Sequence, residues 1–309
     1  MSELRHDPLS GHDVIVAAGR AARPVTFDRP AEQGSEGPRP ECPFCPGSEA
    51  MTPPEVARAG TGDPDTPGWE VRVVPNLYPI VDGTNDGSGA SGVHEVVVLS
   101  PDHRSLAQLD DREAVQVVTV LRDRVRTHLA AGHAFAFAIL NHLRGAGASI
   151  AHPHAQVFAL DRVPRAVEAA LDRTCLAHHD LVTDDAADPA YVVTDAPALL
   201  WCPRASPSPY FMRVAHPSAG ACFHEADDDV LSAVAVSLRD AVRRLAAVLG
   251  DVPYNVVVHT APPARAPFHW YVDVVPRVSI VAGFEQATGI LVNSAPPEQA
   301  AAALRDLTR

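Results

Sequence analysis

The sequence lacks a hydrophobic run that approaches the roughly 20 apolar residues of a membrane-spanning helix. Its first residues, MSELRHDPLSGHD, lack the apolar stretch of a signal peptide. Positive charge is also scarce: 25 Lys and Arg stand against 38 Asp and Glu, a formal net charge of −13, which argues against general nucleic-acid binding. We therefore expect a cytoplasmic protein with no membrane and no nucleic-acid partner, although a local arginine cluster could still bind phosphate.

Cysteine is also scarce. The chain has five, an odd number, and two of them form the Cys42-Pro-Phe-Cys45 motif. In a cytoplasmic chain this pattern favours metal or redox chemistry over a disulfide framework.

The 309 residues, 46% of them hydrophobic, suffice for one large domain or two of about 150 residues. Apolar residues recur at three- and four-residue steps over 108–132, with Asp110 or Asp111 as cap, which predicts a helix. A second helix is predicted over 227–250. Runs rich in β-branched residues predict strands, in chain order 69–81, 94–101, 134–142, 151–160, within 198–217, 254–262 and 268–277.

The helix–strand–loop–strand order occurs twice, about 115 residues apart. Aligning HPHAQVF with HWYVDVV places His152 on His269, His154 on Tyr271 and Gln156 on Asp273. We therefore predict a duplicated α+β fold with a mostly antiparallel sheet flanked by helices. The predicted units are residues 1–160 and 161–309.

Cys42 and Cys45 could place two thiolates on one zinc ion. Two ligands do not complete a site, and His103 and His152, each at the end or start of a predicted strand, are the candidates to finish it. The alternatives are a pair of loop thiols or a redox pair, although the strand–helix context of a redox motif is missing.

The stretch GASIAHPHAQ, residues 147–156, carries the second candidate site. Residues two apart on a strand share a face, so His152, His154 and Gln156 would form one polar row unless Pro153 distorts the strand. Imidazole can act as metal ligand, general base or nucleophile. A nucleophilic histidine must be neutral, with its other nitrogen held by an acceptor such as a nearby carbonyl. The glycines and serine before the row could bind phosphate oxygens, or could simply form a tight hairpin.

In these motifs, together with GRAARP, VVPNLYP, HEVVVLSPDH, NHLRGAGAS and AGFEQATG, the sequence resembles the galactose-1-phosphate uridylyltransferase family over nearly its whole length. That family is the transferase branch of the histidine-triad superfamily, in which glutamine replaces the third histidine. The resemblance implies two tandem histidine-triad-like units. It also implies a ping-pong nucleotidyl transfer, most simply of UMP between UDP-glucose and galactose 1-phosphate, with His154 as the nucleophile.

Further roles follow from the same resemblance. Gln156 would donate to the α-phosphoryl oxygens. The remaining substrate contacts would come from Arg20, Arg23, Asn76, Asn141, Gly147 and Ser149, with the two arginines placed within one subunit or across a homodimer. One structural zinc ion per chain would be held by Cys42, Cys45, His103 and His152.

The sequence departs from the family at Tyr271, where some members have a histidine ligand of a second metal, so no second metal is expected. The segment AGFEQATG resembles the branch shared by other bacterial uridylyltransferases and by plant-type ADP-glucose phosphorylases, so the sequence leaves the sugar and the base open. Adenylyl transfer from ADP-glucose is the nearest alternative. A nucleotide hydrolase and a non-catalytic nucleotide-binding protein are further alternatives. Gln156 argues against the first of these, and the intact His154 with its loop argues against the second.

Overall fold

The computed structural model of the protein describes residues 2–22, 42–83, 91–174, 187–265 and 268–306. Its strands are β1 Glu3–His6, β2 Asp13–Val16, β3 Ala57–Gly60, β4 Trp69–Pro75, β5 Gly92–Val98, β6 Phe135–His142, β7 His154–Leu160, β8 Val192–Thr194, β9 Leu199–Trp201, β10 Met212–Ala215, β11 Tyr254–His259, β12 Tyr271–Pro276 and β13 Leu291–Asn293. Its helices are α1 Asp111–Ala130, α2 Arg165–Thr174, α3 Asp228–Leu249, α4 Gly283–Thr288 and α5 Pro297–Arg305.

Ten strands form one antiparallel sheet in the order β3-β4-β5-β7-β6-β11-β12-β10-β9-β8. The two halves of the chain meet at its centre, where β6 pairs with β11 and Asn141 lies opposite Asn255. Outward from that pair, the N-terminal half contributes β7, β5, β4 and β3, and the C-terminal half contributes β12, β10, β9 and β8. The predicted α+β class and the duplication are thereby confirmed, and the division at residue 160 stays a prediction.

The long helices α1 and α3 contact each other and cover one face of this sheet. Asp110 caps α1 by accepting a hydrogen bond from the Glu113 N–H at 2.8 Å, and Glu113 closes the reciprocal capping box. The buried side of α3 presents Val234, Leu238 and Val242 to the core. Both predicted helices are present, slightly shorter than the sequence periodicity indicated. No helix in the described ranges is long and apolar enough to cross a membrane.

A second sheet, of three strands in the order β1-β2-β13, ties the start of the chain to its C-terminal half. β2 pairs in parallel with β13, and Arg5 forms an ion pair with Glu298 at 3.2 Å. The sequence analysis did not predict these strands, which are only three or four residues long.

Several predicted strands were too long. The strand predicted over 69–81 ends at Pro75, because the Asn76 side chain accepts the Tyr78 N–H at 2.9 Å and turns the chain. The strand predicted over 151–160 begins at His154, after Pro153, which has no N–H to donate to a neighbouring strand. The segment 198–217 contains two short strands, β9 and β10, separated by a proline-containing loop.

Candidate active site and metal centre

Alternation along β7 places its catalytic candidates on the sheet face away from α1 and α3. Ala155, Val157 and Ala159 belong to the helix-covered core, so His154 and Gln156 project from the other face. There the loop with Cys42, Phe44 and Cys45 packs in its own apolar cluster with residues of β4 and β5. The Phe44 ring meets the His154 ring edge-on, with centroids 5.4 Å apart. His154 is therefore only 5% exposed.

The four predicted zinc ligands come together. Cys42, Cys45, His103 and His152 are buried, and their ligand atoms lie within 4.8 Å of one another. Cys45 Sγ lies 3.4 Å from His103 Nε2, and His152 Nδ1 lies 3.5 Å from Cys42 Sγ and 3.7 Å from Cys45 Sγ. In tetrahedral zinc coordination, with Zn–S about 2.3 Å and Zn–N about 2.0–2.1 Å, sulfur and nitrogen ligands lie about 3.6 Å apart. The donor set and its spacing therefore fit zinc.

His152 connects this metal centre to the catalytic strand. Its Nδ1 faces the thiols, so the proton is on Nε2, which donates to the Ser100 carbonyl at 2.9 Å. Burial lowers the pKa of His152 to about 4, which keeps the ring in the neutral form that ligates metals. Burial likewise raises the pKa of the Cys42 thiol, and a bound cation would stabilise the thiolate instead.

His154 has the arrangement that a nucleophilic imidazole needs. Its Nδ1–H donates to the His152 main-chain carbonyl at 2.8 Å, which leaves the Nε2 lone pair free. Burial lowers the pKa of His154, so the neutral form dominates. Within the described residues, Nε2 has no hydrogen-bond partner. His152, a candidate zinc ligand, thus supplies the main-chain carbonyl that orients the ring of His154.

The amide of Gln156 is oriented by His94 on the neighbouring strand β5. The Ile80 N–H donates to His94 Nδ1 at 3.2 Å, so the proton of the neutral ring is on Nε2, and that N–H donates to Gln156 Oε1 at 2.7 Å. Burial lowers the pKa of His94, in agreement with a neutral ring. Because the Gln156 oxygen is engaged, its NH2 group is left to donate elsewhere. Asn76, a predicted nucleotide contact, lies beside this ring, with its Nδ2 3.1 Å from His94 Nε2, but two N–H donors do not form a hydrogen bond in this tautomer.

The predicted phosphate loop, residues 143–153, connects β6 to β7 and begins two residues after Asn141. Leu143 has a positive φ of 62°, an uncommon conformation for a leucine, and Gly147 has a φ of 94°. A Cβ placed on Gly147 would lie 3.7 Å from Asn141 Nδ2. Ser149 is exposed on the same loop. The structure thus brings Asn141 next to the loop that approaches His154.

A cavity of about 730 Å³ opens at this end of the sheet. Asn141, Ser149 and Pro153 line it, whereas His154 and Gln156 are absent from its lining. The cavity therefore borders the phosphate loop and not the polar row on β7.

Of the two predicted arginines, the structure describes only Arg20. Arg20 lies on an exposed 3-10 turn, held through the hydrogen bond from the Ala17 N–H to the Asn293 carbonyl at 2.7 Å. In the described part of the chain, Arg20 forms no hydrogen bond or ion pair with the catalytic row. Arg23 lies outside the described residues.

In the C-terminal half, β12 carries the positions equivalent to the catalytic row. Gln156 pairs with Ile139 of β6, and Asp273 pairs with Val257 of β11. This register confirms the equivalence of Gln156 and Asp273 inferred from the sequence.

The C-terminal positions are occupied by an internal ion pair. Arg213 donates to both oxygens of Asp273 at 2.7 and 3.1 Å, and its guanidinium carbon lies 4.5 Å from the centre of the Tyr271 ring. Burial alone would raise the pKa of Asp273, but Arg213 and His259 hold it below its usual value. Arg213 and Asp273 are 2% and 5% exposed, so the pair fills its own site.

His269, which aligns with His152, keeps the hydrogen bond of its counterpart: its Nε2–H donates to the His216 carbonyl at 2.8 Å. Within the described residues, His269 belongs to no group of possible metal ligands. A different group, Cys222, His224 and Glu225, has its ligand atoms within 4.8 Å, with Glu225 exposed. The expectation of no second metal therefore stays a prediction.

Two residues of this region were missed by the sequence analysis. His94 reaches Gln156 across 62 positions, and Asn255 reaches Asn141 across 114. Only the strand register brings them together, and no local spacing in the sequence marks them.

Comparison with known proteins agrees with this geometry. A family model described as galactose-1-phosphate uridyl transferase, N-terminal domain, matches residues 85–164. An ADP-glucose phosphorylase from Arabidopsis thaliana is 30% identical over 99% of this chain and 93% of its own length. A galactose-1-phosphate uridylyltransferase from Streptomyces lividans is 31% identical over 58% of this chain and 43% of its own length.

Among solved structures, the crystal structure of an Arabidopsis thaliana ADP-glucose phosphorylase with bound ADP-glucose superimposes with a TM-score of 0.86, at 28% identity and covering both chains completely. The family resemblance read from the sequence is confirmed, and nucleotidyl transfer is the activity that these relatives support. The similarity runs through the strands that carry the His154 row, and the chain belongs to the galactose-1-phosphate uridylyltransferase family.

Proposed function

We propose that the protein transfers an adenylyl group from ADP-glucose to phosphate through a covalent intermediate on His154. The observation that carries the proposal is the state of the His154 ring: Nδ1 is engaged by the His152 carbonyl and Nε2 is unpartnered, next to Gln156 on one sheet face. ADP-glucose is the preferred donor because the full-length similarity is to an ADP-glucose phosphorylase.

In the first step, the Nε2 lone pair attacks the α-phosphorus of the nucleotide sugar. The N–P bond forms while the bond from phosphorus to the glucose 1-phosphate oxygen breaks, and glucose 1-phosphate leaves with the electron pair. In the second step, an oxygen of inorganic phosphate attacks the same phosphorus. The N–P bond breaks, ADP leaves and the lone pair returns to Nε2. The proton stays on Nδ1 throughout, and the His152 carbonyl stabilises the positive charge that the ring carries in the intermediate.

Phosphoryl transfer depends mostly on positioning and charge stabilisation. With its oxygen bound to His94, Gln156 would donate N–H bonds to the α-phosphoryl oxygens. Asn141, Ser149 and the N–H groups near Gly147 would hold the other phosphate oxygens. The neutral amide of Gln156 offers no base to activate water, which favours transfer over hydrolysis.

Zinc bound by Cys42, Cys45, His103 and His152 would be structural. These residues would enclose the ion with four protein ligands and leave no open position for substrate. The ion would hold His152 in place, and with it the carbonyl that orients His154.

We further propose a homodimer with Arg20 and Arg23 near the substrate, in the same subunit or across the interface. Exposed apolar residues support it. Leu77, Tyr78 and Ile80, which follow β4, are 60%, 83% and 74% exposed, and Ile280 is 85% exposed. Apolar surface of this kind is typical of protein interfaces. Sedimentation equilibrium of the full chain tests the proposal, and a monomer at micromolar concentration would contradict it.

The second candidate function is UMP transfer between UDP-glucose and a hexose 1-phosphate, with galactose 1-phosphate as the simplest acceptor. It is supported by the partial matches to uridylyltransferases, including one from Thermotoga maritima that is 29% identical over 54% of this chain. In this version the His154 chemistry is unchanged, and the base and the acceptor differ.

One experiment separates the two candidates. The protein is incubated with ADP-glucose or UDP-glucose, without acceptor, and the intact mass is measured after rapid denaturation. We expect a gain of one AMP per chain with ADP-glucose and little adduct with UDP-glucose, and added phosphate should discharge the adduct as ADP. A UMP adduct discharged by galactose 1-phosphate would support the second candidate. Release of free AMP or UMP without an adduct would indicate a hydrolase, and no adduct with either donor would contradict both transfer reactions.

A further inference from the structure

Asn141 of β6 is held by a chain of hydrogen bonds that begins in the C-terminal half of the molecule. Arg277 Nε donates to Asn255 Oδ1 at 2.5 Å. Asn255 Nδ2 in turn donates to Asn141 Oδ1 at 2.7 Å and to the Ala146 main-chain carbonyl at 2.8 Å. Asn255 is 7% exposed and lies directly opposite Asn141 in the central strand pair.

The guanidinium of Arg277 and the carbonyl of Ala146 determine which atom donates and which accepts in each of these hydrogen bonds. A guanidinium can only donate, so the oxygen of Asn255 must face Arg277. The Ala146 carbonyl can only accept, so the NH2 of Asn255 must face the loop. That NH2 also reaches Asn141, whose oxygen is therefore the atom turned toward Asn255.

The NH2 of Asn141 points away from Asn255 and takes no part in these hydrogen bonds. Asn141 Nδ2 lies 3.7 Å from where a Cβ on Gly147 would be, and it has no hydrogen-bond partner among the described residues. Both N–H bonds are thus available to a ligand beside the phosphate loop. The same Asn255 amide also fixes the Ala146 carbonyl, one residue before Gly147.

We propose that Asn255, anchored by Arg277, is a positioning residue that turns the NH2 of Asn141 and the loop at Ala146 toward the phosphates of the nucleotide sugar. This inference rests on the proposed nucleotidyl transfer. It gives the C-terminal half a direct part in the chemistry of the N-terminal half. Asn255 on β11 orients the amide of Asn141 on β6, and Asn141 then donates to the ligand.

The test replaces Asn255 by aspartate, which has the same shape but cannot donate. Asn255→Asp keeps the contact with Arg277 and loses both donated bonds, so the amide of Asn141 reverses to donate to the new carboxylate and presents its oxygen to the phosphate. We expect the single-turnover rate of His154 nucleotidylation to fall about 100-fold, the lower end of the loss seen when one donor to a developing oxyanion is removed.

A double-mutant cycle separates positioning from general damage. If Asn255 acts through Asn141, Asn255→Asp should lower the rate much less in an Asn141→Ala background than in the wild type. Arg277→Met gives a second variant at an exposed position, with little risk to folding. It should lower the rate less than Asn255→Asp, because it releases Asn255 but leaves the NH2 of Asn255 in place. Ser237→Ala is the control: Ser237 is also buried and also hydrogen-bonds main-chain groups, those of Ala198, but it lies on α3, on the opposite side of the sheet from His154. It should lower the melting temperature without changing the rate per folded molecule.

The outcomes distinguish this inference from the function on which it rests. If the wild type forms no nucleotidyl adduct with either donor, the proposed function fails and the inference fails with it. If the wild type forms the adduct and folded Asn255→Asp and Arg277→Met react at the wild-type rate, only the inference is overturned. Full additivity of Asn255→Asp with Asn141→Ala would also overturn it, because Asn255 would then act independently of Asn141.

Discussion

In the N-terminal half, β7 presents His154 and Gln156 on the sheet face away from the helices. In the C-terminal half, β12 presents Tyr271 and Asp273 at the equivalent positions. The first pair keeps hydrogen-bonding capacity for a ligand, because His154 Nε2 is free and the Gln156 NH2 is not used by His94. The second pair is fully engaged by Arg213 and His259.

The difference shows how one copy of a duplicated unit can keep groups that bind and react with a ligand, while the same positions of the other copy hold a structural ion pair. A valine, Val96, lies beside Gln156 on β5, and Arg213 lies beside Asp273 on β10. Arg213 thus occupies the hydrogen-bonding groups of Asp273 internally, whereas the corresponding groups of the N-terminal half stay available to a bound phosphate. A cavity of about 310 Å³ remains next to Arg213 and Asp273, but these two side chains already neutralise each other.

The metal centre provides the largest test of this comparison, because among the described residues a group of four possible ligands forms only in the N-terminal half. Cys42→Ser should remove the zinc and strongly lower the free energy of unfolding, because the binding of structural zinc contributes on the order of 10 kcal/mol to folding. Elemental analysis and thermal unfolding measure both effects. Cys222→Ser is the matched control, a buried thiol outside the four-ligand group, and should keep about one zinc per chain. Loss of metal in that variant would instead locate an ion at Cys222, His224 and Glu225.

The ion pair in the C-terminal half should matter for stability and not for chemistry. Arg213→Met leaves the Asp273 carboxylate buried without its main partner, and should cost about 3–5 kcal/mol in free energy of unfolding. The double variant Arg213→Met with Asp273→Leu should recover part of that loss, because the Asp273 charge is removed together with its partner. Recovery should be incomplete, because the buried Asp7 carboxylate also loses Arg213, 3.8 Å away. Asp7 then keeps the hydrogen bonds that Leu9 and Ser10 donate. Urea denaturation measures the stability, and adduct formation per folded molecule should stay at the wild-type level. Loss of adduct formation in a stable variant would mean that this half binds substrate.

His94 should matter for chemistry more than for stability. His94→Phe keeps the stacking on Phe158, whose ring centre is 4.1 Å away, but removes the N–H that orients Gln156. We expect the rate of adduct formation to fall about 10-fold with a smaller change in nucleotide affinity, as for other residues that orient a catalytic group. The loss should shrink in a Gln156→Ala background. Equal losses in both backgrounds would show that His94 does not act through Gln156.

The sequence predicted those parts of the site whose signal is local. The Cys-x-x-Cys spacing, His103 at the end of a predicted strand and the His-Pro-His-Ala-Gln stretch predicted the four clustered ligands and the row on β7. The apolar periodicity predicted α1 and α3. The alignment of the two halves correctly matched Gln156 with Asp273. These features depend on spacing within a few residues or on a repeat of similar segments.

The remainder depends on register and on side-chain contacts between distant segments. His94, Asn255 and Arg213 act on residues 62, 114 and 60 positions away, and each contact exists only because particular strands are neighbours. The strand over 69–81 was predicted too long because Leu77, Tyr78 and Ile80 look like strand residues, whereas the Asn76 side chain turns the chain before them. The small sheet was missed because its strands are too short to show alternation.

The most direct test of the account is to locate the nucleotidyl group. Wild-type protein, His154→Ala and Tyr271→Phe are each incubated with ADP-glucose or UDP-glucose, quenched, digested under conditions that preserve N–P bonds, and mapped by mass spectrometry. The account predicts one nucleotidyl group on the peptide that contains His154 in the wild type and in Tyr271→Phe, and none in His154→Ala. A nucleotidyl group on His152, on a peptide of the C-terminal half, or on any residue of His154→Ala would contradict it.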